Sequence, residues 1–228
     1  MGGWGLYFAF LIPPLLIGFY IQHRLKTTVA REMQVPVSNG MSGEDVARTI
    51  LQHNGLVDVP VQPSPGGPLS DHYDPGKRTV NLSEGGFDGR SVASVAIAAH
   101  EVGHAIQHQK AYAPFKVRSA LFPAVSFASR TWGFILIAGI LFQVTGLATL
   151  AVALFAVVVL FQLVTLPVEF DASRRAKQQL SSLGLVSGAE ADGASKVLSA
   201  AALTYVAGAL AALTQLAYYV LVFLGNRN

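Results

Sequence analysis

Four stretches of the chain are almost purely apolar, and polar sequence separates them at uneven intervals. The first, Trp4 to Ile21, is interrupted by Pro13-Pro14 and followed by His23-Arg24-Leu25-Lys26. Its positive charges come after the apolar core and no small-residue cleavage site follows, the reverse of a secretory signal. It reads as an uncleaved first span. Leu121 to Leu166 carries a single charged residue, Arg130. That run is far longer than the roughly 20 residues one spanning helix needs. With Gln143-Val144-Thr145-Gly146 as a tight turn, it predicts two helices, 121–143 and 147–166. Leu203 to Leu224 is the fourth apolar span.

The polar segments carry other periodicities. Ser42-Gly43-Glu44-Asp45 has the form of a capping box opening a short amphipathic helix, with Val46, Ile50 and Leu51 on one face and Asn54-Gly55 at its end. The Pro/Gly-rich passage from Val57 to Pro68 cannot be helix. Val59–Gln62 and Arg78–Ser83 have β-character, with Asp74-Pro75-Gly76 as the turn before the second. A helix follows over about Arg90 to Lys110, ended by Tyr112-Ala113-Pro114. Ser187-Gly188-Ala189-Glu190 is a second capping box, and its helix merges into the fourth span.

Composition agrees with membrane residence. The 228-residue chain is 52% hydrophobic and only 13% charged, against about 25% charged in soluble domains, and its mean hydropathy is +0.45. Of the 16 Lys and Arg residues, all but Arg227 lie between Arg24 and Arg130 or between Arg174 and Lys196. The positive-inside rule then places both polar segments in the cytoplasm and both termini outside. The absence of cysteine excludes disulfides and thiolate ligands, so any metal must be held by His, Asp or Glu. No basic-aromatic pattern suggests nucleic acid.

The chemistry concentrates in His100-Glu101-Val102-Gly103-His104, an H-E-x-x-H string inside an Ala/Val/Ile helix. Residues four apart on a helix share a face, so His100 and His104 can present two imidazoles to one metal ion. Glu101, about 100° round the helix, can act as base without being a ligand. Burying these groups in an apolar helix is costly unless a cation pairs them. A catalytic zinc needs a third protein ligand. His108 continues the i, i+4 series but lies about 12 Å along the axis from His100, too far to share an ion on a straight helix. Glu169, just past the third span, is the stronger candidate, with pairing to Arg174 or Arg175 as the alternative. Asp171 could accept an imidazole N–H.

These residues resemble the YugP-like membrane zinc metallopeptidases. The resemblance runs through Leu69–Pro75, Val80–Glu84, Gly89–Ser91, Ala98–His108, Tyr112–Pro114, Leu160–Phe170 and Ala200–Val206. It implies a gluzincin-type neutral zinc endopeptidase in a bacterial cytoplasmic membrane, active site facing the cytoplasm. More distantly the chain is similar to the HtpX and CAAX prenyl endopeptidases, whose ligand Glu belongs to E-x-x-A-D. Here Ser173 stands where they have Asp. The ligand role carries over to Glu169; the role of that Asp does not. In that wider group a strand ahead of the zinc helix holds the substrate backbone, and Arg78 to Glu84 occupies that place.

The expected architecture is mainly α and integral to the membrane, with four transmembrane helices and a small α+β zincin-like region on the cytoplasmic side. Its divisions are 1–22, 23–118, 121–166, 167–200 and 201–225. The expected centre is Zn2+ on His100, His104 and Glu169, with Glu101 as base and Tyr205, His72 or Tyr73 as oxyanion donor. Expected partners are protein or peptide substrates and the lipid bilayer. Small-residue faces at Ala207-Gly208 and Ala211-Ala212 permit an oligomer or a membrane partner. Quality control of membrane proteins follows by analogy. Site-specific maturation of an anchored peptide and a non-catalytic metal-binding scaffold are the alternatives.

Overall fold

The computed structural model describes residues 3–224. Their elements are α1 (Gly3–Glu32), α2 (Gly43–His53), β1 (Val61–Pro63), β2 (His72–Asp74), β3 (Thr79–Leu82), α3 (Glu84–Phe87), α4 (Val92–Gln109), α5 (Ala113–Leu141), α6 (Thr145–Ser182) and α7 (Gly188–Tyr219), followed by a π-helical turn, Val220–Leu224. The fold is mainly helical, and α1, α5, α6 and α7 are long and apolar enough to cross a membrane. The chain divides into two compact units. One comprises the described parts of Met1–Ile21, Val117–Leu166 and Thr204–Asn228; the other comprises Gln22–Lys116 and Pro167–Leu203.

The apolar unit packs Leu136 of α5, Val152, Phe155 and Val159 of α6, and Tyr219 of α7 into a small core. Trp132 lies against Phe155 with ring centroids 4.5 Å apart. Large apolar side chains also point outward, among them Phe134, 77% exposed, and Leu141. The hairpin between α5 and α6 turns at Phe142–Val144. Gln143 takes a left-handed conformation there (φ +55°), and Val144 N–H donates to Gly139 O at 3.0 Å. The turn is shorter than the four residues expected because Thr145 already begins α6.

The other unit is built on α4. Its core joins Val80 and Leu82 of β3, Val92, Val95, Val102 and Ile106 of α4, and Ile50 of α2 with Leu180 and Leu198. The capping box at Ser42 is present: Asp45 N–H donates to Ser42 Oγ (3.1 Å) and Ser42 N–H to Asp45 Oδ2 (2.9 Å). Helix α1 runs through Pro13-Pro14 and beyond the apolar stretch to Glu32. Between α4 and α5, Ala111 is left-handed (φ +50°), and Pro114 sits in the first turn of α5, where its missing N–H costs no helical bond.

The sheet departs from the sequence reading. Its order is β1-β3-β2, with β1 parallel and β2 antiparallel to β3. The strand expected to hold an extended peptide, β3, is therefore the central one, and both its edges are taken. The short β2, which is not among the strands expected from the sequence, is an edge strand.

Candidate metal centre

Helix α4 is buried on nearly every side, which explains why its sequence shows no polar face. Ser91 caps it, accepting from Ser94 N–H at 3.2 Å. What lets α6 approach is Gly103: a β-carbon there would lie 2.7 Å from the Ala172 carbonyl oxygen. Glycine inside a helix costs about 1 kcal/mol relative to alanine. Here it permits a backbone contact that brings Glu169, one turn before Ala172, over the histidines.

The three side chains converge. His100 Nε2 lies 3.2 Å and His104 Nε2 3.6 Å from Glu169 Oε2, and all three donor atoms lie within 4.8 Å of one another. Metal–ligand distances of about 2.0–2.2 Å in a tetrahedral site put neighbouring donors roughly 3.3 Å apart, so the spacing fits a zinc-sized ion. Glu169 is only 2% exposed. The two arginines that could have neutralised it, Arg174 and Arg175, pair with Asp171 instead.

Hydrogen bonding fixes the histidine chemistry. Gln107 Nε2 donates to Val168 O (2.7 Å) and Asp171 Oδ2 (2.9 Å). Both amide hydrogens are thereby used, and Gln107 Oε1 is left to accept from His104 Nδ1 at 3.0 Å. His104 is therefore the Nδ1–H tautomer, with its Nε2 lone pair aimed at the Glu169 carboxylate. Two lone-pair-bearing atoms facing each other at 3.6 Å in a buried site need a cation or a proton between them. On the other imidazole, Ser173 Oγ lies 3.3 Å from His100 Nδ1, leaving its Nε2 for the same focus. The donor set, two imidazoles and a carboxylate, suits zinc.

Glu101 is buried beside this focus. Burial pushes its carboxyl up to about 7; the Glu169 and Asp71 charges act in the same direction, while His100 and the nearby backbone of Tyr73 oppose them. Tyr73 lies on the sheet edge. Val80 N–H donates to Pro60 O, so the polar groups of Val80 face β1. Its partner across the antiparallel pair, Tyr73, then belongs to a non-hydrogen-bonded pair, and its N–H and C=O point out of the sheet. The free edge of β2 thus borders Glu101.

Two of the other sequence candidates, His108 and His72, have partners away from the metal focus. His108 is outside the cluster; its Nδ1 lies 2.9 Å from Tyr73 Oη, and burial lowers its pKa. Tyr73 faces α4, so strand alternation turns the exposed His72 to the opposite face, where its Nδ1 donates to Ser70 O at 2.8 Å. Tyr205 belongs to the apolar unit. Asp171 reaches an imidazole only through Gln107. The sequence reading missed the parts played by Gln107 and Gly103, and it singled out Ser173 without giving it a role. Gln107, three residues after His104, had a detectable signal, because that spacing places it on the histidine's face.

A family model described as "Putative neutral zinc metallopeptidase" matches residues 7–224. The chain is 46% identical over 222 residues to "Putative membrane protease YugP" of Bacillus subtilis (strain 168), covering 97% of this chain and 98% of the relative. No solved structure matches. With more than nine-tenths of its length aligned, the chain belongs to the family described as "putative neutral zinc metallopeptidase".

Proposed function

We propose that the chain is a membrane-embedded zinc endopeptidase that hydrolyses peptide bonds in membrane or membrane-proximal proteins. The observation that carries this reading is the convergence of His100, His104 and Glu169 on one point, with Glu101 buried beside it. His100 Nε2, His104 Nε2 and Glu169 Oε2 would hold the zinc. When bound, zinc supplies Lewis acidity, polarising the scissile carbonyl and making water acidic enough to lose a proton near neutral pH. Glu101 takes that proton and delivers it to the departing amine. Gln107 and Ser173 hold the imidazole rings in register. Tyr205 would serve as the oxyanion donor, with His72 as the weaker candidate because it faces away from α4.

An extended substrate adds to the free edge of β2, where the outward N–H and C=O of Tyr73 offer main-chain pairing next to Glu101. The charge distribution supports a cytoplasmic site: segments 23–118 and 167–200 would lie on the cytoplasmic side of a bacterial cytoplasmic membrane, with 1–22, 121–166 and 201–225 spanning it. A site on chain segments continuous with four apolar helices favours substrates that emerge from the bilayer, the setting of membrane-protein quality control. The test is casein cleavage by the purified, zinc-loaded chain in detergent. Glu101→Gln is expected to retain zinc and lose about 10²–10⁴-fold in rate. A Glu101→Gln variant as active as wild type would overturn the assignment.

A further inference from the structure

A cavity of about 340 Å³ opens in the polar unit between the last turns of α1, the loop 67–71 and α4. That volume lies at the lower end of the ~300–1,000 Å³ typical of ligand pockets. Val29, Ala30 and Met33 of α1, Leu69 of the loop and Ile97 of α4 give it a mainly apolar wall. Its position ties it to the chemistry. Ile97 precedes His100 by three residues and Glu101 by four, so all three share one side of α4. Asp71, also in the lining, lies close enough for its charge to act on Glu101. Two residues further on is Tyr73, whose backbone lies near the same carboxylate.

We infer that this cavity receives the apolar side chain of the substrate residue that flanks the scissile bond, and that α1 supplies one of its walls. The inference rests on the peptidase reading above. An extended peptide on the β2 edge directs alternate side chains to opposite sides, and the one nearest Glu101 has this cavity beside it. The charges present do not suit a charged occupant. Asp71 is engaged by Ser83 N–H (2.8 Å) and Ser83 Oγ (3.0 Å), while Lys26 and Glu84 are exposed at the rim. A buried acidic side chain would sit near Asp71 and Glu101, and a basic one would give up its hydration to apolar walls. Leu69 adds a further sign. It is 52% exposed and held at φ +63°, a left-handed conformation that is unfavourable for a non-glycine residue. The loop keeps a large apolar residue at the cavity despite that cost.

The test uses the full chain, zinc-loaded in detergent. Mass spectrometry of casein fragments sets the peptide frame. Fluorogenic peptides then vary only the two residues flanking the cleaved bond, through Ala, Leu, Phe, Asp and Lys. At one of the two positions Leu or Phe is expected to exceed Ala by about 10–100-fold in kcat/KM, with Asp and Lys below Ala. Ala30→Phe, which places a ring at the cavity from an exposed position, is expected to cut the Leu-over-Ala ratio at least about fivefold at unchanged zinc content. Leu69→Gly removes a wall while relieving the left-handed conformation, so its expected loss of preference cannot be assigned to misfolding. Equal rates for Ala, Leu and Phe, a preference for Asp or Lys, or an unaltered ratio in both zinc-replete variants would overturn the pocket while leaving the peptidase standing. Cleavage of no peptide by wild type or variants would instead remove the peptidase reading.

Discussion

The two units are held by different kinds of specification. In the apolar unit, side chains such as Phe134 and Leu141 point outward, and the small core of Phe155, Val152 and Tyr219 is packed mainly by shape, with Tyr219 Oη accepting from Gln215 Nε2. In the polar unit, individual polar atoms have single partners: Gln107 spends both amide hydrogens and its oxygen, and Asp171 answers one amide and two guanidinium groups. The first kind of order follows from composition and tolerates volume-conserving change. The second kind is geometric, and one misplaced atom undoes it. On the proposed reading, lipid would solvate the outward surface of the first, and the buried polar network of the second would serve the chemistry.

The sharpest way to break that contrast is Gly103→Ala, a change of one methyl group. Helix propensity favours alanine, yet the added carbon meets the Ala172 carbonyl at 2.7 Å. Overpacking of this kind costs about 1–3 kcal/mol, and the expected result is a lower melting temperature with loss of most bound zinc. Retention of both would show that α4 and α6 do not need this contact. Next in size are Gln107→Leu and Ser173→Ala, each expected to weaken zinc binding by about 10–100-fold, as losses of an imidazole's outer partner generally do. Competition with a chromophoric chelator measures it; unchanged affinity in both would mean that the rings are fixed by packing alone. The smallest effect is expected on the other side of the comparison. Phe134→Leu, at a 77% exposed site, should alter thermal stability by less than about 0.5 kcal/mol and leave zinc untouched. A loss of zinc there would tie the apolar unit to the centre.

Much of this layout was legible in the sequence for identifiable reasons. The spans show because spanning helices need long runs without charge. Helix α4 and its histidine pair show because a metal pair on a helix must recur every four residues. Glu169 shows because a carboxylate next to a long apolar run demands a partner. The missed features lack such signals. A three-residue strand such as His72–Asp74 has no room for a periodicity, and the Asp74-Pro75-Gly76 turn signal masks its end. That concealed the fact that β3 is central and β2 is the edge. Gly103 reads as a helix-weakening residue until the closeness of Ala172 is known. Ser173 stood out only as the departure from E-x-x-A-D, and Asp171, with a charge, looked the better imidazole partner; its arginines and Gln107 claim it instead.

The central claim is that Glu169, far from the histidines in sequence, closes a single zinc site with them. Zinc stoichiometry of the purified chain, measured by elemental analysis for wild type, Glu169→Ala and His108→Ala, tests it most directly. One zinc per chain in wild type and His108→Ala, with substoichiometric zinc in Glu169→Ala, is the expected pattern. Full zinc in Glu169→Ala would contradict it.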